Sequence, residues 1–391
     1  MARRAIALLA AGCLALLAAA PAQASTYAPR GDRAWHGVSD TGSVADFDEF
    51  SNQVDAHPAL LQDFFHWRVP LTTGALYRWG QTDTRGVLSL STATGEGEEV
   101  ITPQQIAQGR DDRYMLRLAR TIDETGQTVY IRLMAEMNGH YNAYSAFNAD
   151  GSARHNGHST LWYRKAWRRF TLIVRGGSRT KINRRLVRMG MPRILRAKSQ
   201  NDPIYEGGPD GIPLPVPSVL PSPRVAMMWV PQSFGSPNIA GNQPADYWPG
   251  GKYVDWVGFD IYSAYAGALG RDKAFLRNYR HKPVVIGEYG PWNNDTGGSF
   301  TGALLRWAER TERVKAMIYY RGVDTANSYN LQYYPGAQKA LRNHLRKPHW
   351  APFAPGVQAL DDPPPPPPAE VSRPQPRAAP AVAPAPRRGS G

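Results

Sequence analysis

Residues 128–139 read Thr128-Val129-Tyr130-Ile131-Arg132-Leu133-Met134-Ala135-Glu136-Met137-Asn138-Gly139. A β-branched and aromatic run ends on a carboxylate, and Asn-Gly then signals a turn. The run is too short for a stable helix and too continuously apolar for a half-solvated strand. It fits a strand of a parallel sheet buried on both faces. Val284-Val285-Ile286-Gly287-Glu288-Tyr289-Gly290 repeats the arrangement, a β-branched run closed by glycine and glutamate.

Working outward from these two stretches, short apolar runs alternate with helix-like segments along the middle of the chain. Strands are predicted at 34–38, 60–65, 86–90, 128–134, 224–230, 254–261, 283–287 and 315–320. Helices are predicted at 45–56, 110–124, 160–174, 300–311 and 337–345. In the third helix Trp162, Tyr163, Ala166, Trp167, Phe170, Ile173 and Val174 recur at helical spacing, with basic residues on the other face. Alternating strands and helices predict α/β structure, and eight strands in one domain at 25–360 predict a (β/α)8 TIM barrel. The longest insertion, 176–223, falls between strands four and five and is first basic, then proline-rich.

The chain has 391 residues, 42% apolar and 20% charged, enough to bury a large core. Its net charge of +14 suggests a nucleic-acid binder until the charges are placed. Residues 151–201 hold fourteen Lys and Arg and no Asp or Glu, so the remainder of the chain sums to zero. The aromatics of that segment lie on the predicted buried helix face, which argues against nucleic acid. Among partners, an acidic glycan or wall polymer fits the segment better, while a solvated insertion with no specific partner is the favoured reading.

The ends read differently from the middle. Arg3 and Arg4 precede an apolar run at 5–20, and Ala22-Gln23-Ala24 has the form a signal peptidase cuts. A secretory leader is therefore expected at 1–24, with the protein acting extracellularly or in the cell envelope. Cys13, the one cysteine, lies in that run, so the mature chain would have no disulfide, thiolate metal site or cysteine nucleophile. Ala-Ala-Gly-Cys13 also has a lipoprotein form, although the apolar run continues past it. Residues 361–391, with six consecutive prolines at 363–368, cannot build a core and are expected to be a disordered tail.

In a (β/α)8 barrel the reacting groups stand at the C-terminal ends of strands, where Glu136 and Glu288 fall on strands four and seven. A single strand-end glutamate is commonly a structural ion-pair partner. Two in one barrel supply what retaining glycoside hydrolysis needs, an acid for the leaving oxygen and a carboxylate to attack the anomeric carbon. No phosphate loop, dinucleotide glycine pattern or nucleophile elbow accompanies them, and no cofactor or metal is expected.

Residues 131–139, Met228-Trp229-Val230-Pro231-Gln232, residues 253–262 and Val285-Ile286-Gly287-Glu288-Tyr289-Gly290 together resemble the strand-four to strand-seven motifs of glycoside hydrolase family 26. That family consists largely of endo-β-mannanases. The resemblance implies that Glu136 is the general acid/base, Glu288 the nucleophile and Tyr262 the residue that orients it. It also implies that Asp260 holds neighbouring groups or a substrate hydroxyl and that Trp229 lies near the cleft.

This chain has Ala135 where the family usually has His, and Tyr320 where a Trp platform is expected. Trp residues that often follow Asn138-Gly139 are replaced by His140 and Tyr141. These departures leave the carboxylate pair intact and bear on mannan specificity. The candidate substrate-binding residues are Asn138, His140, Tyr141, Trp229, Asp260, Trp292 and Tyr320, with Trp248 and Tyr265 as further aromatics for stacking on sugar rings. A monomeric secreted hydrolase of β-linked polysaccharide is the expectation. A non-catalytic barrel that binds cell-envelope or acidic polysaccharide is the alternative.

Overall fold

Alternation along each strand decides which side chains meet. In the computed structural model eight parallel strands are β1 (Ala34–Ser39), β2 (Leu60–His66), β3 (Arg85–Ser91), β4 (Thr128–Leu133), β5 (Arg224–Trp229), β6 (Trp256–Tyr262), β7 (Val284–Gly290) and β8 (Val314–Tyr320). Each pairs with the next, and β8 pairs with β1 from Trp35 opposite Ala316 to Ser39 opposite Tyr320, so the sheet closes into a (β/α)8 barrel. The described residues are 27–39, 42–72, 74–194, 216–292, 297–322 and 329–355. The expected leader, residues 195–215 of the insertion and the tail at 361–391 lie outside them.

Two apolar clusters follow from the alternation. Leu60, Val87, Tyr130, Ala226, Met228, Val230, Val285, Ala316 and Ile318 fill the lumen. The intervening Leu61, Leu88, Ile131, Met227, Ile286 and Met317 meet the helices outside. At the N-terminal end the lumen is plugged. Trp35 meets Tyr130 at a tilt and Tyr130 meets Trp256 edge-on, at 6.1 and 5.5 Å, and the Arg85 guanidinium lies 4.9 Å from the Trp35 ring centroid. Arg85 donates to the Tyr130 phenol at 3.0 Å, which donates to the Tyr27 carbonyl at 2.7 Å. A barrel closed at that end is left with one accessible mouth, at the C-terminal ends of the strands.

The helices are α1 (Val44–Val54), α2 (Ala75–Gln81), α3 (Pro103–Ala107), α4 (Asp112–Thr125), α5 (Thr160–Arg175), α6 (Arg179–Arg188), α7 (Leu269–Leu276), α8 (Ser299–Glu309) and α9 (Pro335–Leu345). The short α2, α3 and α7 were not expected, because their few turns carry too little periodicity to read. The Ser159 hydroxyl caps α5 by accepting from the Trp162 amide at 3.1 Å, worth about 1 kcal/mol. Tyr163, Ala166, Trp167, Phe170, Ile173 and Val174 bury its apolar face. Among the described residues no helix is long and apolar enough to cross a membrane.

Much of the basic segment is structural. Arg169 is fully buried and pairs with Asp112 through both carboxylate oxygens. Arg154, Arg164, Arg168, Arg175 and Arg179 donate to backbone carbonyls, Arg175 also to Asp255 at 2.6 Å. On α6, Ile182 and Leu186 are buried while Lys181, Arg184, Arg185 and Arg188 are exposed. Because α5 runs back from the open mouth, α6 departs from the opposite, plugged end of the barrel.

Candidate active site

Just past the end of β4 the backbone turns sharply. Met134 and Glu136 adopt φ of 43° and 50°, left-handed conformations that cost a non-glycine residue about 1–2 kcal/mol each. Neighbouring strand ends hold the turn: the Met134 amide donates to Leu90 O at 2.8 Å and the Glu136 amide to Val230 O at 2.7 Å. The Glu136 carbonyl accepts from the Gly139 amide at 2.8 Å and Asn142 Nδ2 at 2.9 Å. Two strained residues within three positions, fixed by four hydrogen bonds, aim the Glu136 carboxyl into the mouth of the barrel.

Glu288 reaches the same place by another device. Along β6 and β7, Phe259 pairs with Ile286 and the next residue, Asp260, with Glu288, so β7 carries one extra residue, Gly287. This β-bulge breaks the alternation, and Glu288 turns inward instead of outward. A Cβ on Gly287 would lie 2.7 Å from Asp260 Oδ1, 3.0 Å from Val230 Cγ1 and 3.1 Å from Arg132 Nε. Glycine therefore leaves the space in which those side chains pack.

Arg132, the lone charge of the β4 run, points into the lumen and donates to both Glu288 Oε1 and Asp260 Oδ2. The three side chains are nearly closed to solvent, with the Glu288 carboxylate the most open at 13% exposure. The Tyr262 phenol donates to Glu288 Oε2 at 2.6 Å. The charge on Glu288 is thus met on both oxygens, by a guanidinium and by a phenol.

Glu136 is in a different situation. Burial, and then the nearby charge of Glu288, push its carboxyl above the usual range, against the Tyr141 phenol, which donates to Oε2 at 2.5 Å. Asp260 is raised too, by burial, with Arg132 opposing and the other two carboxyls adding to the rise. The neighbouring carboxyls act on each other in opposite senses, Glu136 raising Asp260 while Asp260 partly offsets the rise of Glu136. Three carboxyls share one guanidinium, and Arg132 donates to Glu288 and Asp260 but not to Glu136.

The cleft above these groups encloses about 340 Å³. Glu136, Tyr141, Asp260, Tyr262, Glu288, Trp292 and Tyr320 all line it, with Tyr265. Tyr262 meets Trp292 and Tyr320 edge-on at 5.4 and 6.0 Å, and Phe64 meets Tyr320 at 6.0 Å, making an aromatic wall. No protein-family model matches the chain, and no curated protein matches it. Solved structures do. A double mutant of the Cellulomonas fimi endo-β-1,4-mannanase superposes with a TM-score of 0.52 at 14% identity, covering 88% of this chain and 79% of that one. A family 26 β-mannanase from Bacteroides ovatus gives 0.50 at 14% identity, covering 84% and 94%. The barrel shares its fold with these two mannanases.

On this fold, four of the candidate residues stand away from the cleft. Trp229 is fully buried outside the barrel, against Trp248, Phe275 and Tyr279 at 4.9, 5.9 and 5.3 Å. The reason is alternation, since Ala226, Met228 and Val230 take the lumen side of β5. Trp248 accompanies it outside. Asn138 is also fully buried and clamps two loops together, donating to Gln232 O and accepting from the Gln232 amide, both at 2.9 Å. His140 is tied to Ser236 O through its amide at 2.7 Å and stands edge-on behind Tyr141.

Other lining residues escaped the sequence reading. Arg132 had a signal, a single cation inside an apolar strand four residues before Glu136. His66, Gln232 and Asp272 gave none, because their approach to the cleft depends on the closure of the barrel. Burial raises Asp272 to about 6, against its bond to Ser233 and the charge of Arg271. Among the described residues no group of His, Cys, Asp or Glu is arranged to hold a metal ion.

Proposed function

We propose that this protein is a retaining glycoside hydrolase that cleaves a neutral β-linked glycan, with β-1,4-mannan as the first substrate to test. Glu136 gives its proton to the glycosidic oxygen as that oxygen leaves C1, and Glu288 attacks C1 to form a glycosyl ester. Glu136 then takes a proton from water, which attacks C1 and releases Glu288. Tyr262 and Arg132 hold the nucleophile. The observation that carries this reading is the division of labour in one buried cluster, where Arg132 and Tyr262 donate to the two oxygens of Glu288 while burial and the Glu288 charge raise the carboxyl of Glu136.

The cleft wall bears on the substrate. Glu136, Asp260, Asp272 and Glu288 line it, and Arg132, the one Lys or Arg among the described lining residues, is already shared by two carboxylates. A polymer carrying carboxylates or sulfates would find no unshared Lys or Arg among the described lining residues, whereas neutral pyranose rings meet the aromatics Tyr262, Trp292 and Tyr320. This favours a neutral glycan over the acidic substrate that the basic segment invites. The leader expected from the sequence supports an activity outside the cytoplasm.

Release of reducing ends from a panel of neutral and acidic polysaccharides, wild type beside Glu288→Ala, tests the proposal. Activity on a neutral β-glycan that falls by about 10⁴-fold or more in the variant supports it. Activity that persists in the variant, or a wild type inert on every glycan, refutes it.

A further inference from the structure

We propose that Tyr141 is a positioning residue of the acid/base carboxyl: oriented by Gln232, its phenol holds Glu136 Oε2 and stabilises the carboxylate left when Glu136 has given up its proton. This rests on the glycosidase reading and assigns to Tyr141 a part other than a sugar platform.

The geometry begins with direction. Gln232 Nε2 donates to the Tyr141 oxygen at 2.6 Å, so the phenol hydrogen is left for Glu136 Oε2 at 2.5 Å. Gln232 is itself fixed, because its backbone amide donates to Asn138 Oδ1 and its carbonyl accepts from Asn138 Nδ2. The chain Asn138, Gln232, Tyr141, Glu136 therefore joins the loop after β5 to the strained turn after β4.

The loop carrying Tyr141 is locked as well. Arg154 donates to the carbonyls of His140, Asn142 and Ala143. Gly139 lets the ring fold back, since a Cβ there would stand 2.7 Å from Tyr141 Cζ and 2.9 Å from its oxygen. Ala135, directly before Glu136, offers no side-chain donor. Among the described residues, the side-chain hydrogen bond that the Glu136 carboxyl accepts is the one from the Tyr141 phenol.

The groups facing Glu136 are Arg132 from β4, Asp260 from β6, Glu288 from β7, and Tyr141 and Tyr144 from the loop after β4. Glu288 disfavours the charged form of Glu136, while Arg132 and Tyr141 favour it. In the first step the Glu136 O–H bond breaks, the proton passes to the glycosidic oxygen, and the Tyr141 bond gains strength as its acceptor becomes an anion. Tyr141 keeps its own proton, held by burial and by the Glu136 charge well above the usual range.

The test is kcat/KM against pH for wild type, Tyr141→Phe and Gln232→Leu on two substrates. One is β-mannan, or the neutral glycan found active above, and the other is a dinitrophenyl glycoside of the same sugar, whose leaving group needs no proton. Loss of the phenol donor lets Glu136 hold its proton to higher pH. The alkaline limb on the glycan is expected to move up by about one pH unit. Activity on the glycan is expected to fall ~10–100-fold and on the aryl glycoside by less than about 3-fold. Gln232→Leu is expected to shift the limb in the same direction by less. Equal losses on both substrates with an unmoved limb would mean a structural role and overturn the proposal. An active wild type whose Tyr141→Phe variant shares its profile overturns it alone; a wild type inert on all glycans overturns the glycosidase reading and this proposal together.

Discussion

Asp260 on β6 stands opposite Glu288 on β7 because Gly287 takes up one extra position between them. That one-residue offset re-aims Glu288 from the helix layer into the cleft and brings it to the guanidinium that also serves Asp260. Replacing Gly287 by Ala inserts a methyl group 2.7 Å from Asp260 Oδ1. Overpacking of this kind costs about 1–3 kcal/mol, and the displaced pair loses its aim. Gly287→Ala is expected to lower the unfolding free energy by that amount and kcat by at least ~10-fold with KM little changed. Urea melts beside steady-state kinetics check it; an unchanged kcat would remove the bulge from the account.

Arg132 is the cation that makes three neighbouring carboxyls tolerable. Arg132→Met leaves Asp260 and Glu288 buried without a counter-charge, a loss of about 3–5 kcal/mol. The loss is expected at pH 7 and is expected to shrink in acid, because without Arg132 the Asp260 carboxyl, already raised by burial, binds its proton more tightly still. Denaturant melts at pH 7 and in acid test this, and an equal loss at each would show that packing, not charge, is what Arg132 supplies.

Asp272 offers a pH dependence of opposite origin. Burial raises its carboxyl from 3.8 to about 6, so the folded chain binds this proton more tightly than the unfolded chain. Its contribution to stability is full below pH 4 and is lost as pH rises through 6, on the order of 2 kcal/mol. Asp272→Asn has no proton to lose. Relative to wild type it is therefore expected to gain about that much stability between pH 4 and pH 7, measured by urea unfolding. A difference that stays constant across the range contradicts the assignment.

The cations left free by the fold, Lys181, Arg184, Arg185 and Arg188, recur along one exposed side of α6. They lie on the side of the barrel away from the cleft, and an acidic wall polymer is the partner to test there against a merely solvated helix. Retention on immobilised polygalacturonate is expected to fall steeply with salt and to vanish when the four become Gln, with glycan hydrolysis unchanged. Retention equal in the variant would show α6 to be merely solvated.

The barrel was legible because a parallel strand buried on both faces leaves a short β-branched run in the sequence, and all eight runs became strands. The two glutamates were legible because each closes such a run. Bulges are not written this way. Strand seven was expected to stop at Gly287, but it continues to Gly290, since the extra residue exists only relative to Phe259 and Asp260 on the next strand. Trp229 was misplaced through reading its neighbourhood without its alternation, which Ala226, Met228 and Val230 had set. The basic segment misled in proportion to how many of its arginines the fold uses internally, Arg169 and Arg154 above all. Tyr141 was legible as an aromatic near the cleft, while its bond to Glu136 depends on a loop closed by Arg154 and Gly139.

The claim that Glu288 is the nucleophile is tested most directly by trapping the glycosyl ester. Wild type is incubated with an activated 2-deoxy-2-fluoro β-mannoside, or the corresponding derivative of whichever neutral sugar proves active, and the digested protein is mapped by mass spectrometry. The account predicts one glycosyl adduct, on the peptide and residue of Glu288, absent from Glu288→Ala. An adduct on another residue, or an active enzyme that forms none and releases product with inverted configuration, would contradict it.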